Sequence, residues 1–313
     1  MGIEGRRVNA GKAVSRIGGL FGSSDEPNKR RIRHNELASS LRTIIEYCQT
    51  ILARMARYRP TWLFISTMTN SSAPLLIILP GLDGSGRLSV PFMHALEAQG
   101  VESQVIAYPK DQAMGYDALR DWLRPQLLRQ PPFVLLGESF AGPLAIMLGT
   151  TGLTSLRGII LSTTFARAPV PAPSVLARVL QLPLPLPPVA PLARLLLGRW
   201  RTPSLEGALR DALAGTSPSV LRARAVETLR IDVRALLPLV STPVLCLHAN
   251  EDRLLQASAL RSIEHGLQQP AESHLLDGPH LLLQAQPVEA AARVASWLRT
   301  LDRGTLPHAP PEA

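Results

Sequence analysis

Short apolar runs and longer segments with helical spacing alternate along the chain from Pro74 onward. The apolar runs have the length and composition of buried strands, and they are PLLIILP, SQVIAYP, FVLLG, LRGIILS, TPVLCLHA and ESHLLDG. Apolar residues recur at helical spacing in segments 89–99, 115–130, 141–150, 254–267 and 288–301. This alternation predicts an α/β fold with a mostly parallel sheet of about six strands and helices on both faces.

The alternation is interrupted once, between Phe165 and Thr242, where the chain is far longer than one connecting helix requires. We predict an inserted helical lid, rich in Pro and Leu, over residues 168–238. The α/β core then consists of residues 68–167 and 239–304. The apolar residues of the insertion, including Val179 and Leu195, are too numerous to stay exposed. They either cover a bound apolar ligand or seal the insertion onto the core.

Residues 1–67 form a basic amino-terminal extension, because they hold 12 of the 33 Lys and Arg residues but 5 of the 24 Asp and Glu residues. The rest of the chain is nearly neutral, which does not favour a nucleic-acid-binding core. We expect the extension to be partly disordered and residues 305–313 to form a disordered tail. Met68 stands shortly before the first predicted strand, so 1–67 is either a working extension, with membrane-surface contact as one role, or not native.

The cysteines and the apolar stretches exclude several protein classes. Cys48 and Cys246 are too few and too far apart for a disulfide framework or a thiolate metal site. No uninterrupted apolar stretch is long enough to cross a membrane, and IGGLFG is too short for the core of a secretion signal. We therefore expect a cytoplasmic protein, and the sequence leaves its oligomeric state open.

The stretch LLGESFAGPLA places Ser139 between small residues, where the predicted strand FVLLG ends and a helix begins. So abrupt a reversal strains the residue at its apex, and bulky side chains two positions away would clash. Gly137 occupies the first flanking position and Ala141 the second, with Gly142 directly behind it. The pattern predicts a nucleophilic serine on a sharp turn, with an ordinary strand-to-helix junction as the alternative.

The first predicted strand ends in the glycine-rich loop LPGLDGSGRL. Glycines allow a backbone to approach a ligand closely and to direct its N–H groups at an anion. A phosphate-binding loop is disfavoured because no Lys followed by Ser or Thr comes after these glycines. We expect the loop, from Gly81, to supply the N–H of Leu82 to an oxyanion hole. The N–H of Phe140, directly after the serine, is the expected second donor.

Two carboxylates and one histidine follow later predicted strands, in the order in which a catalytic acid and base would come after a nucleophilic serine. Glu251 and Asp252 come just past the predicted strand TPVLCLHA, and His280 lies in the Gly-Pro turn of LLDGPHLLLQAQP. Asp252 is the better candidate for a catalytic acid, Glu251 is its rival, and helix capping is the alternative role of Asp252. Because nucleophile, acid and base each follow a strand, the sequence predicts that Ser139, Asp252 and His280 act together.

In these features the chain resembles the α/β-hydrolase fold family over residues 74–301. The order of the predicted nucleophile, acid and base matches that family, and DGPHLLLQAQP is similar to its histidine turn. The loop LPGLDGSGRL also resembles the hydrolase half of plant phytyl ester synthases and diacylglycerol acyltransferases. The chain departs from the family pattern at Ala141, which replaces a glycine, and at Pro80-Gly81, where many members have His-Gly. Neither departure removes a reacting group.

The resemblance implies a serine hydrolase that cleaves carboxylic esters, or thioesters, of apolar acyl groups through an acyl-enzyme intermediate. Its expected partner is a small-molecule ester substrate and not a nucleic acid, and the chemistry needs no metal or organic cofactor. Transfer of the acyl group to an alcohol by the same residues is one alternative. A non-catalytic binding protein of the same fold is another, although such proteins usually lack a catalytic residue, and this sequence retains all three.

Overall fold

One parallel sheet organises the described residues of the computed structural model, which are 74–170, 173–181 and 188–303. Its six strands are β1 (Leu75–Leu79), β2 (Ser103–Val105), β3 (Phe133–Glu138), β4 (Leu156–Ser162), β5 (Val244–Ala249) and β6 (Glu272–Leu276). They lie in the order β2-β1-β3-β4-β5-β6, and all neighbouring pairs are parallel. The predicted fold class is confirmed. The predicted extension 1–67, the tail 305–313 and residues 171–172 and 182–187 of the predicted lid lie outside the described residues.

The helices cover both faces of the sheet. They are α1 (Val90–Ala98), α2 (Tyr116–Leu127), α3 (Ala141–Gly149), α4 (Pro173–Leu180), α5 (Val189–Leu197), α6 (Pro203–Ala214), α7 (Pro218–Thr228), α8 (Ala257–Glu264), α9 (Leu282–Ala285) and α10 (Pro287–Arg303). Short 3₁₀ helices span Arg87–Ser89, Gly198–Trp200 and Arg234–Leu239. None of the helices in the described part of the chain is long and apolar enough to cross a membrane.

Alternate residues of β1 pack against helices on opposite faces of the sheet. Ile77 and Leu79 pack with α2 and α3 on one face, whereas Leu76 and Ile78 pack with α1 and α10 on the other. All six residues of β3 are buried, as expected for a central parallel strand covered on both sides. The continuous apolar runs of the sequence therefore form the centre of the sheet.

Helices α4 to α7 occupy the predicted insertion between β4 and β5. Helices α5 and α6 pack against each other and against the core through a cluster of Leu88, Ala193, Leu197, Leu209, Ala212 and Leu281. Val179 and Leu195 remain 45% and 38% exposed, so the expectation that both would be buried was wrong. Each lies two positions from a buried alanine of its helix, Ala177 or Ala193, and therefore points to the opposite side.

The strand order places a topological switch point between β1 and β3. The chain passes from β1 to β2 on one side of the sheet and then returns to pair β3 with the other side of β1. Ligands of open α/β sheets bind in the crevice outside the carboxyl ends of strands at such a point. The glycine-rich loop follows β1 and Ser139 follows β3, so both candidate segments lie at this edge.

Candidate active site

Ser139 lies at the apex of a sharp turn between β3 and α3. Its φ of 50° is in the left-handed region, which is unusual for a residue other than glycine. The turn is held by three hydrogen bonds, in which Ser139 N–H donates to Ser162 O at 3.0 Å and Ser139 O accepts from Gly142 N–H at 3.1 Å and from Thr164 Oγ1 at 2.5 Å. The surrounding structure thus maintains a strained backbone that presents the hydroxyl at the edge of the sheet.

The close packing of this turn explains its small residues. A Cβ atom at Gly137 would lie 2.6 Å from the Ala141 carbonyl oxygen and 2.9 Å from the Ala145 Cβ, and a Cβ at Gly142 would overlap the Thr164 side chain. Ala141 itself is buried in the main apolar cluster, where its methyl group packs with neighbouring side chains. Glycine is therefore required at positions 137 and 142, and the alanine at position 141 is accommodated.

The structure brings the three predicted side chains into one hydrogen-bonded chain. Ser139 Oγ lies 2.8 Å from His280 Nε2, and His280 Nδ1 lies 2.7 Å from Asp252 Oδ2. An ionised carboxylate can only accept, so His280 Nδ1–H donates to Asp252 and Nε2 is left to accept the Ser139 hydroxyl proton. The His280 and Asp252 side chains are 2% and 8% exposed, and little water competes for these bonds.

Asp252, and not its neighbour, contacts the histidine. Its other oxygen, Oδ1, accepts hydrogen bonds from the backbone N–H groups of Leu254 and Leu255, each at 2.8 Å. These bonds fix the carboxylate and leave Oδ2 directed at His280. The Glu251 carboxylate instead pairs with Arg199 of the insertion at 2.5 Å.

The loops that carry the acid and the histidine are joined by backbone hydrogen bonds. Asn250 N–H donates to Leu276 O at 2.9 Å, Glu251 N–H donates to Gly278 O at 3.0 Å, and Gly278 N–H donates to Asn250 Oδ1 at 3.1 Å. The insertion is bonded to the histidine loop, since the N–H of Leu281, next to His280, donates to Leu196 O at 3.1 Å. The positions of acid and base are therefore set together.

The expected oxyanion donors lie on the two segments that flank the switch point. The N–H groups of Leu82 and Phe140 donate no hydrogen bond to any described residue. Gly81 O accepts from Gly84 N–H at 3.0 Å, which closes a tight turn around Leu82. Phe140 is fixed by Tyr116, whose ring stacks on it at 4.7 Å and whose hydroxyl donates to Phe140 O at 2.9 Å. Backbone N–H groups without an acceptor among the described residues are the kind of donor that an oxyanion hole uses.

A buried carboxyl group, Glu138, directly precedes the serine. Gln284 Nε2 donates to its Oε1 at 2.9 Å, and the side chain is 3% exposed. Burial raises the pKa of Glu138 to about 7, against the opposing effects of the Gln284 hydrogen bond and of His280. The folded protein therefore binds the Glu138 proton more tightly than the unfolded chain does.

This burial predicts a pH-dependent contribution to stability. The contribution is present below the unfolded pKa and is lost as the pH rises through about 7, because the folded state must then hold a buried charge. We expect Glu138→Gln to match the wild type at pH 4 and to be more stable at pH 8.5 by up to about 3 kcal/mol in urea unfolding. Glu97→Gln, at an exposed carboxylate, is the control. An equal effect of Glu138→Gln at both pH values would contradict the assignment.

A cleft of about 890 Å³ adjoins the site on the side of Asp252. Its apolar lining includes Val170, Leu254, Leu255 and Leu275. Ser139 and His280 do not line it among the described residues, although Thr164, which bonds the Ser139 carbonyl, does. The cleft therefore begins beside Asp252 and extends away from it along the segment 253–261, with Val170 of the insertion at one side.

Two supporting residues were missed in the sequence analysis. Asn250, which bonds the histidine loop, could have been noticed as a polar residue directly after a buried strand. Arg224 is fully buried in helix α7 and bonds the glycine-rich loop, yet it stands among other arginines of an ordinary helical segment. Across the described residues, no group of three or more His, Cys, Asp and Glu side chains is placed to hold a metal ion.

Solved structures with this architecture are numerous. No family model matches the chain, and no curated protein matches it in sequence. The structure is similar to that of a hydrolase from Oleispira antarctica, with 15% identity, 72% of this chain and 91% of that chain covered and a TM-score of 0.62.

Two further neighbours carry different activities in their names. An esterase from Thermogutta terrifontis has 20% identity, coverage of 74% of this chain and 90% of that chain, and a TM-score of 0.60. A bromoperoxidase from Bacillus anthracis has 17% identity, coverage of 72% and 92%, and a TM-score of 0.61. Likeness at such identities identifies the architecture and not the reaction. The chain has the α/β-hydrolase fold.

Proposed function

We propose that this chain is a serine hydrolase that cleaves carboxylic esters, or thioesters, of apolar acyl groups through an acyl-enzyme intermediate. The observation that carries the proposal is the continuous hydrogen-bonded chain from Ser139 Oγ through His280 to Asp252, at 2.8 and 2.7 Å. A hydroxyl in contact with a neutral imidazole, which is itself oriented by a buried carboxylate, is an activated nucleophile. The hydrolase and esterase names of structural neighbours agree with this class of reaction.

The proposed reaction proceeds in two halves. Ser139 Oγ attacks the substrate carbonyl carbon while its proton passes to His280 Nε2, and the carbonyl oxygen becomes an oxyanion facing the N–H groups of Leu82 and Phe140. The bond to the leaving alcohol or thiol then breaks, and His280 gives that group its proton. Water repeats the attack on the acyl-enzyme, loses a proton to His280 and releases the acid, and the proton returns to Ser139. Asp252 stabilises the imidazolium in both halves.

The apolar side chains on part of this cleft support a substrate with an apolar acyl group. Val170, at the start of the insertion, and Leu254, Leu255 and Leu275 of the core line it beside Asp252. A short acyl group would leave this surface in contact with water. A longer chain would bury it, and each buried methylene contributes about 0.8 kcal/mol, or roughly fourfold in affinity.

This argument predicts a dependence on acyl length. We expect kcat/KM for p-nitrophenyl esters to rise at least tenfold from acetyl to a chain of about six to ten carbons. Val170→Asp should flatten this rise because it places a charge in the cleft, whereas Val288→Asp, at a side chain that is 69% exposed, should not. A strict preference for acetyl, or equal flattening by both variants, would remove the cleft from the proposal and leave an esterase without an acyl-binding surface.

A further inference from the structure

Helix α7 of the insertion contributes a fully buried arginine, Arg224. Its Nη1 donates hydrogen bonds to Leu82 O at 3.1 Å and Asp83 O at 2.9 Å, and its Nη2 donates to Pro109 O at 2.9 Å. All three acceptors are backbone carbonyl oxygens, and among the described residues no carboxylate accepts a hydrogen bond from Arg224. Burying a charge that no carboxylate bonds directly is costly, and burial lowers the pKa of this guanidinium against the opposing effects of Tyr108 and Asp83. We therefore expect an arginine at this position to have a role that offsets the cost of its burial.

The carbonyl groups that Arg224 bonds belong to the loop that carries the Leu82 N–H. On the other side of Leu82, Gly84 N–H holds the Gly81 carbonyl oxygen at 3.0 Å. Because a trans peptide is planar, the Leu82 N–H points away from that oxygen and out of the turn. Gly84 has a φ of +68°, and a Cβ there would overlap Arg224 Nη1. The guanidinium and the turn therefore fix the backbone on both sides of Leu82.

Arg224 also contacts Tyr108, a side chain that packs against the residue of the second expected donor, Phe140. Its guanidinium carbon lies 5.3 Å from the centroid of the Tyr108 ring, and that ring meets Phe140 edge to face at 6.3 Å. Tyr108 N–H donates to Gly84 O at 2.8 Å, which ties the aromatic pair to the same loop. One buried cation thus touches the supports of both N–H donors.

We infer that Arg224 is a positioning residue of the oxyanion hole, through which the inserted helices hold the Leu82 and Phe140 N–H groups in the geometry of the transition state. The inference rests on the proposed function and adds a role for the insertion in catalysis besides substrate binding. Arg224 does not touch the substrate, because its side chain has no exposed surface. Its loss should therefore reduce transition-state stabilisation more than substrate affinity.

Kinetics of Arg224→Met and Arg224→Lys test this division. For p-nitrophenyl hexanoate we expect kcat to fall about 10- to 100-fold in Arg224→Met with KM changed less than about threefold. Arg224→Lys, which retains a cation and donors at this place, should recover part of kcat. Arg210→Met is the matched control, since this arginine of α6 is 58% exposed and pairs with Glu206. A kcat no lower than that of the control, or an effect confined to KM, would overturn the inference.

Amide hydrogen exchange gives a second measurement that does not depend on activity. We expect Arg224→Met and Arg224→Lys to raise exchange in peptides covering residues 80–88 by about tenfold or more, with little change in peptides of the central strand β3. Arg210→Met should leave both regions unchanged. Unchanged exchange at 80–88, or equal increases in both regions, would overturn the inference even in a fully active enzyme.

The two proposals fail in different ways. If Ser139→Ala keeps wild-type turnover, the proposed function is wrong, while the exchange measurement still decides whether Arg224 holds the loop. If turnover depends on Ser139 and Arg224→Met keeps wild-type kcat, the hydrolase proposal stands and the role of Arg224 is wrong.

Discussion

Ser139→Ala is expected to lower kcat/KM for p-nitrophenyl hexanoate by about 10⁴-fold or more. The change removes the nucleophile and its hydrogen bond to His280, so that the histidine has no hydroxyl to activate. The backbone bonds from Ser139 to Ser162, Gly142 and Thr164 do not involve the hydroxyl and remain. We therefore expect thermal unfolding close to that of the wild type alongside the loss of turnover.

Ser273→Ala is the matched control for this prediction. It removes a hydroxyl from β6 that donates to Glu264 in an exposed contact, and both activity and stability should remain near wild type. Turnover of Ser139→Ala within tenfold of this control would exclude Ser139 as the nucleophile. A large loss in both variants would point to unfolding and not to chemistry.

Asp252→Asn should produce the next largest loss, about 10³- to 10⁴-fold in kcat. The amide keeps the size of the side chain and can still accept from Leu254 and Leu255, so the loop is preserved. Its NH₂ group, however, faces His280 Nδ1 as a donor. The imidazole must then carry its proton on Nε2 and cannot accept the serine proton.

Glu251→Gln is the control that distinguishes the hydrogen bond to His280 from the negative charge of the loop. It neutralises the adjacent carboxylate, which pairs with Arg199 and not with His280, and kcat should change by less than about threefold. Equal losses in the two variants would show that the negative charge of this loop matters and that the hydrogen bond to His280 does not.

The order of elements and the three polar residues could be predicted from the sequence because they depend on local patterns. Continuous apolar runs mark buried parallel strands, and polar residues that directly follow such strands meet at one edge of the sheet. Ser139, Asp252 and His280 all have this relation to β3, β5 and β6. Local pattern also identified the need for small residues around Ser139, although the structure places the second required glycine at Gly142.

Features that depend on contacts between distant segments could not be predicted from local patterns in the sequence. Arg224 bonds Leu82 across 142 positions of sequence, and only the packing of the insertion on the first loop buries it. The choice between Asp252 and Glu251 likewise depends on which carboxylate faces His280, 28 positions further along the chain. The expectation for Val179 failed because an apolar composition does not reveal which side of a helix meets a neighbour.

Covalent labelling with a fluorophosphonate tests the central claim most directly, because the probe reacts with an activated serine and leaves a stable mass on it. Full-length protein would be labelled, digested and mapped by mass spectrometry, with residual esterase activity measured in parallel. We predict one modified residue, Ser139, a loss of activity in proportion to labelling, and no labelling in Ser139→Ala or His280→Ala. Labelling at another serine, or full activity in protein completely modified at Ser139, would contradict a mechanism based on Ser139, His280 and Asp252.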